Sequence, residues 1–180
     1  METPRLILRP LKEEDLETFI AYRRQPEVAR YQNWETSYSM QDALEILEGQ
    51  QALVPNTPDS WQQFALELKS TGELLGDCAL HTLKDERQVE IGYTLAPQNQ
   101  GKGYMTEAIT GLLDYVFLEL NKHRAIAEMD ALNAASARLA ERLGFRREAH
   151  YVQDVLFKGA WGDSFVYAIL RDEWVKKHRD

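Results

Sequence analysis

Cysteine is almost absent from this chain of 180 residues, which contains only Cys78. A single cysteine excludes an internal disulfide and a zinc site built on cysteines, and it fits a reducing compartment. The four histidines show no spacing typical of metal ligands, so we expect no metal. Long apolar runs are missing too, since none approaches the roughly 18 residues needed to span a bilayer. With no signal peptide at the start, these absences predict a cytoplasmic protein that has no membrane partner.

The chain also lacks an excess of basic residues, because 21 Lys and Arg stand against 29 Asp and Glu, a formal net charge of −8. Affinity for nucleic acid usually starts from a basic face, so we expect no nucleic-acid partner. The acidic excess lies in residues 1–90, with 9 basic and 17 acidic residues, whereas residues 91–180 hold 12 of each. An acidic first half would attract a cationic ligand, although a charged surface that keeps the protein soluble is the more ordinary explanation.

A length of 180 residues with 44% apolar content suits one domain over residues 1–180. Apolar periodicity predicts strands at residues 6–8, 61–68, 74–83, 89–95, 124–129, 146–155 and 161–170. It predicts helices at residues 13–23, 39–52 and 134–143, and another whose apolar stripe runs from Met105 to Leu120. We therefore predict an α+β fold with a mixed, mostly antiparallel sheet of about seven strands, flanked by about four helices.

A glycine pair lies where the strand at residues 89–95 gives way to the helix that carries Met105. Gly101 and Gly103 let the backbone approach a ligand closely, and the first turn of the following helix offers free N–H groups to a phosphate. The segment is not a P-loop, because Gly103 and Tyr104 follow Lys102 where Ser or Thr would be needed, and it lacks the third glycine of a dinucleotide fingerprint. The sequence indicates a diphosphate-binding loop, with a plain surface turn as the alternative.

Four segments resemble the GNAT superfamily of acyl-CoA N-acyltransferases, in the branch of the ribosomal-protein-alanine N-acetyltransferases. Residues 98–103, Gln-Asn-Gln-Gly-Lys-Gly, look like its pyrophosphate loop, Arg/Gln-x-x-Gly-x-Gly/Ala. Residues 3–10 resemble its opening strand, residues 130–145 its second cofactor segment and residues 161–168 its last strand. The resemblance implies an N-acetyltransferase that moves an acetyl group from acetyl-CoA to a primary amine by direct attack, without a metal. It also implies a sheet that is splayed at the cofactor site.

The resemblance assigns cofactor-binding roles to residues of three segments. These are Tyr93, Thr94, Leu95, Gln98, Gln100, Gly101, Lys102, Gly103, Tyr104, Met105, Asn133, Ser136 and Arg138. In the family, backbone N–H groups of the strand ending at Leu95 bind the pantetheine and the acetyl carbonyl. Gly92 indicates a β-bulge that would open a slot for pantetheine, with a glycine kept for close packing as the alternative.

Glu90 is the candidate catalytic base. It points away from the apolar face of its strand, and an alkylammonium must lose a proton before it attacks a thioester. Burial would raise the pKa of this carboxyl towards neutrality. A glutamate on the corresponding strand is implicated in several GNAT enzymes, whereas a solvent-facing glutamate is the alternative. Asp77 and His81 on the neighbouring strand are the next candidates.

Asn133 and Ser136 are the remaining catalytic candidates. Asn133 is a suitable N-cap for the helix at residues 134–143, and the resemblance implies that it also binds the pantetheine while Ser136 acts near the sulfur. The tyrosine acid of many GNAT enzymes is not clearly placed, with Tyr104 and Tyr151 as weak candidates.

The nature of the acceptor stays open at this point. A protein N-terminus, a free amino acid or polyamine, and an aminoglycoside or similar small amine all suit the family. Trp34, Trp61 and Tyr31 are candidates for the wall of its pocket, with packing as the alternative. A non-catalytic acyl-CoA-binding sensor or assembly module is the rival interpretation, and a homodimer is one option for the assembly.

Overall fold

The computed structural model describes residues 1–178. Within them, seven strands form one sheet: β1 (Leu6–Arg9), β2 (Ser60–Leu68), β3 (Leu74–Thr82), β4 (Gln88–Leu95), β5 (Arg124–Asp130), β6 (Arg146–Phe157) and β7 (Ala160–Leu170). Six α-helices accompany it: α1 (Leu16–Arg23), α2 (Pro26–Ala29), α3 (Met40–Ala52), α4 (Tyr104–Asp114), α5 (Ala134–Leu143) and α6 (Arg171–His178). The predicted α+β class is confirmed. The short helix α2 gives no periodic signal, and α6 has only two apolar residues in eight, so both escaped prediction.

The strand order across the sheet is β1-β2-β3-β4-β5-β7-β6, and every neighbouring pair is antiparallel except β4 and β5. The parallel pair arises because α4 carries the chain from the end of β4 back to the start of β5, as parallel strands require. The sheet is therefore mixed and mostly antiparallel, as predicted.

The parallel pairing between β4 and β5 is short. It joins Gln88 to Arg124, Val89 to Ala125 and Glu90 to Ile126, and then ends, although β4 continues to Leu95 and β5 to Asp130. The two strands thus splay apart in the middle of the sheet. The backbone of residues 91–95 is left without a β5 partner.

The expected bulge at Gly92 is wrong. The register between β3 and β4 runs without interruption, with Ala79 opposite Gly92. A Cβ at Gly92 would make ordinary contacts of 3.8 Å with the Trp61 ring and 3.9 Å with the Ala79 side chain. The gap arises instead because two twisted strands diverge once their pairing stops.

Helix α4 is central to the core. Its buried face carries Ala108, Ile109, Leu112 and Leu113, which join one hydrophobic cluster with side chains of β1, β3, β4 and β5. The chain continues from α4 as a π-helical turn at Tyr115–Glu119, within the predicted apolar stripe. This packing fixes the N-terminal end of α4 at the mouth of the gap.

A second cluster holds α1 and α3 against the first strands of the sheet, with Phe19, Tyr22 and Tyr38 among its buried side chains. These helices cover the face of the sheet towards which Glu90 and Gly92 point. In the described part of the chain, no helix is long and apolar enough to cross a bilayer.

Candidate active site

The glycine loop has the backbone that the sequence predicted. Gly101 and Gly103 adopt positive φ angles of 74° and 79°, in the left-handed region that glycine tolerates best. Gly103 is also the N-cap of α4, so the N–H groups of the first helical turn, which lack partners within the helix, lie directly behind it. This geometry suits a phosphate group.

An ion pair holds the N-terminal segment against this loop. Glu107 on α4 accepts hydrogen bonds from the Thr3 hydroxyl at 2.6 Å, the Arg5 backbone N–H at 2.7 Å and the Arg5 Nε at 2.6 Å. Arg5 also donates to the Lys102 carbonyl at 3.2 Å. Burial would raise the pKa of Glu107, but these hydrogen bonds and the Arg5 charge hold it below its ordinary value. Arg5 therefore braces the loop, a role that the sequence did not reveal.

The first of two cavities at the gap has a volume of about 590 Å³ and lies between the ends of β4 and β5 and the N-termini of α4 and α5. All the predicted cofactor residues line it except Gln98 and Lys102, both of which are exposed. Glu27, Val28, Tyr31 and Gln32 also line it. Tyr31 was a candidate for the wall of the acceptor pocket, whereas no motif pointed to the other three.

Asn133 begins α5 as expected. Its side-chain oxygen accepts a hydrogen bond from the Ser136 backbone N–H at 3.2 Å, so the predicted cap is confirmed. The Ser136 hydroxyl in turn lies 2.7 Å from the Tyr93 hydroxyl, which connects α5 to β4 across the first cavity. Burial raises the pKa of Tyr93, and its hydrogen bond with Ser136 offsets this only in part. A protonated phenol therefore faces the cavity at neutral pH.

This pair changes the assignment of candidate acids. Tyr151, on the edge strand β6, is 51% exposed and lines neither cavity. The Tyr104 ring lies under the Arg5 guanidinium, 4.5 Å from its carbon. Tyr93 had been predicted only to bind cofactor through its backbone, but among these tyrosines it is the one that reaches Ser136. Alternation along β4 places Tyr93 on the face of the sheet against which α4 and α5 pack. This pattern was the signal in the sequence that could have identified the Tyr93 side chain.

The second cavity, of about 720 Å³, lies on the face covered by α1 and α3. It is lined by Trp34, Trp61 and Tyr31, which agrees with the prediction that these residues form the wall of a pocket. It shares residues 91–94 of β4 and Glu128 and Met129 of β5 with the first cavity. The two cavities therefore meet at the gap between these strands.

Glu90 lies at the boundary of the second cavity with 30% of its side chain exposed. Its Oε2 is 3.5 Å from Nδ1 of His81, whose ring stacks on Trp61 with centroids 4.7 Å apart. The carboxylate is thus held on the cavity side of β4 and remains open to solvent. Its position fits a group that meets an incoming amine.

Asp77, by contrast, is fully engaged. It is 3% exposed and its Oδ2 lies 3.1 Å from Nη2 of Arg23, which is 4% exposed. Tyr22 and Gln63 also donate hydrogen bonds to this carboxylate. Its oxygens are occupied by these partners and its side chain is almost inaccessible, so Asp77 is removed from the list of candidate bases. Cys78 beside it is buried, and burial raises the pKa of its thiol, which leaves it inert.

Comparison with known proteins identifies the family to which this fold belongs. Residues 5–146 match the family described as the acetyltransferase (GNAT) domain. The chain belongs to the GNAT acetyltransferases. This GNAT protein is 30% identical over 172 residues to the uncharacterized N-acetyltransferase YnaD of Bacillus subtilis, across 96% of this chain and 97% of that protein. It is 33% identical over 84 residues to the ribosomal protein uS5-alanine N-acetyltransferase of Escherichia coli, across 47% of this chain and 43% of that protein.

Among solved structures, the spermidine N-acetyltransferase of Vibrio cholerae in complex with CoA and spermine aligns with a TM-score of 0.82 and 25% identity. The alignment covers 95% of this chain and 98% of that one. The GNAT protein is therefore an acetyl-CoA-dependent N-acetyltransferase. Its residues fit acetyl-CoA. The loop of Gly101 and Gly103, both with positive φ, lies at the N-terminus of α4 and adjoins the first cavity. This cavity is open to the unpaired edge of β4. The residues that the structure describes contain no cluster that could hold a metal ion.

Proposed function

We propose that this enzyme acetylates a small cationic primary amine, which enters through the second cavity and attacks acetyl-CoA in the gap between β4 and β5. The observation that carries this proposal is the junction of the two cavities at residues 91–94. The acceptor cavity is acidic. Its charged lining consists of five carboxylates and one arginine: Glu45, Asp77, Glu90, Glu128, Asp130 and Arg23. Arg23 is already paired with Asp77, so the cavity favours a cation.

In this proposal the first cavity binds the CoA portion of the co-substrate. Gly101, Gly103 and the start of α4 hold the pyrophosphate through backbone N–H groups. The unpaired backbone of residues 93–95 binds the pantetheine and the acetyl carbonyl, while Arg138 supplies charge further along the cavity. Gln98 and Lys102, which are exposed, contribute from the outer side of the loop.

The chemistry needs a base, a stabilised oxyanion and a proton for the departing thiolate. Glu90 holds the acceptor ammonium at the gap and helps to draw off its proton. A backbone N–H of β4, freed by the splay, stabilises the oxyanion. Ser136, oriented by Asn133 and by Tyr93, delivers a proton to the sulfur, with the Tyr93 phenol as its source. The amine attacks directly, and no covalent intermediate with the enzyme is required.

A second acceptor class has one observation in its favour, namely the 33% identity to an alanine N-acetyltransferase acting on ribosomal protein uS5. The identity covers less than half of this chain. A protein N-terminus is therefore the competing acceptor in the experiment below.

Two measurements test the proposal. Thermal unfolding with CoA, ATP and NAD should show stabilisation by CoA alone, by about 2.7 kcal/mol at 100 times its Kd. Release of free thiol from acetyl-CoA should then be measured with propylamine, with spermidine and with a peptide that begins with Ala. Faster turnover of the two small amines supports the proposal. Preference for the peptide would mean that the acceptor is a protein N-terminus. CoA binding without any thiol release would favour a non-catalytic module.

A further inference from the structure

Glu128 on β5 is a second carboxylate at the gap, and no sequence motif pointed to it. The last residues paired between the parallel strands are Glu90 and Ile126, and Glu128 follows Ile126 by two positions. Side chains two apart on a strand share a face, so Glu128 projects to the same side of the sheet as Glu90. Glu128 lines both cavities, whereas Glu90 lines only the second.

The surroundings of Glu128 are acidic. Its partner on β7, Val166, is uncharged, and Asp154 on β6 approaches it while accepting a hydrogen bond from Ser164. Arg124 lies on the same face of β5, but its guanidinium is 2.5 Å from a carboxylate oxygen of Glu148.

Glu128 itself takes part in none of the ion pairs found among residues 1–178. Asp130, further along the same face, accepts a hydrogen bond from the Leu132 backbone N–H at 2.7 Å. Partial burial, the charge of Glu90 and the charge of Asp154 together raise the pKa of Glu128.

We propose that Glu128 and Glu90 together bind the acceptor ammonium, and that Glu128 is the carboxylate that receives its proton. The inference rests on the proposed function and adds a catalytic residue to it. The geometry supports this division of roles, because Glu128 is the member of the pair that reaches both the acceptor cavity and the cofactor cavity. The raised pKa of Glu128 also suits a carboxylate that accepts a proton from an ammonium.

The proton balance of the step is simple. The ammonium gives one proton to the Glu128 carboxylate, and the free amine then forms the new C–N bond with the acetyl carbon. When the C–S bond breaks, the thiolate takes a proton through Ser136 and Tyr93. One of the two protons left on nitrogen restores the phenol by the same route, and the other stays on the amide nitrogen of the product. Glu128 returns its proton to water through the open cavity. Each turnover at neutral pH therefore releases one proton.

Kinetics test the role of Glu128 directly. With propylamine or spermidine as acceptor, Glu128→Gln should lower kcat/KM by roughly 10²-fold at neutral pH, and the loss should shrink as the pH approaches the pKa of the amine. Glu128→Asp should recover part of the rate. Glu45→Gln is the matched control, since it removes a charge from the same cavity away from the gap. It should alter KM while leaving the shape of the pH profile unchanged.

A weakly basic amine separates deprotonation from other roles. 2,2,2-Trifluoroethylamine is largely neutral at pH 7, so Glu128→Gln should cost much less with this acceptor than with propylamine. An equal loss with both amines, or a constant offset at all pH values, would mean that Glu128 only shapes the cavity, and the inference would be overturned.

A titration of the free protein needs no acceptor. Carbon-13 NMR of the Glu128 side chain should show a midpoint above the ordinary carboxyl value of about 4.3, and Glu90→Gln should lower it. Propylammonium should also lower it, whereas propanol should not. If Glu128 titrates at that ordinary value in both proteins, the inference fails even where the enzyme acetylates amines. If the enzyme acetylates none of the amines, the proposed function fails, and this titration still decides whether the two carboxylates form a pair.

Discussion

Replacing Gly103 with valine is the sharpest test of the pyrophosphate loop. Gly103 has a φ of 79° and caps α4, and a Cβ at this position would lie 3.5 Å from Nη2 of Arg5. The left-handed backbone costs an L-residue about 1–2 kcal/mol, and a β-branched residue lies at the upper end of that range. A domain with 5–15 kcal/mol of stability survives this loss, so we expect the variant to fold.

The effect on CoA affinity should be larger. Two isopropyl methyl groups would stand between the phosphate and the first N–H groups of α4. A hydrogen bond to a charged group contributes about 1.5–3 kcal/mol. The loss of two such bonds therefore predicts an increase in the Kd for CoA of about 10²- to 10⁴-fold.

Titration calorimetry with CoA and thermal unfolding without ligand measure the two effects separately. Gly159→Val is the matched control, because Gly159 also has a positive φ, of 83°, and has no atom within 4 Å of a built Cβ. It lies in the turn between β6 and β7, away from both cavities, so it should lose similar stability and retain CoA affinity. A folded Gly103→Val protein with the wild-type Kd for CoA would refute the assignment of this loop.

Four further predictions concern single side chains. Glu90→Gln should leave CoA binding intact and lower acetylation by roughly 10²-fold at neutral pH. Its pH–rate profile should converge with that of the wild type near the amine pKa, and parallel profiles would restrict Glu90 to packing. Asn133→Ala should lose about 1 kcal/mol of stability and some CoA affinity. Ser136→Ala should lower kcat with little change in the free energy of unfolding, and an unchanged kcat would leave Ser136 a structural role. Glu107→Gln should cost about 2 kcal/mol at pH 7 because it loses charged hydrogen bonds. Since folding lowers the pKa of Glu107, that stabilisation is present above the ordinary carboxyl pKa of about 4.3 and disappears as the pH falls below it. Chemical denaturation at pH 7 and pH 3 checks this, and a difference independent of pH would contradict it.

Much of the fold could be predicted because the signals are local. The glycine pair, the cap at Asn133 and the C-cap at Gly144, which has a φ of 97°, depend on backbone conformations that few residue types tolerate. Alternation along residues 89–95 correctly predicted that Val89 and Ile91 face the core, whereas Glu90 lies on the opposite face of β4. These patterns reflect the backbone and the nearest neighbours along the chain, and a sequence displays both.

The parts of the fold and of the candidate site that could not be predicted depend on distances between segments that are remote in sequence. The sequence alone determined the α+β class, the position of the glycine loop and the residue types available for the chemistry. Only the tertiary structure showed that pairing of β4 with β5 stops after Glu90, that Tyr93 meets Ser136, and that Asp77 is occupied by Arg23. It also placed Glu128 across the gap from Glu90. Each of these facts follows from packing that brings separate strands and helices together, and no local pattern records which side chain of one segment will meet another.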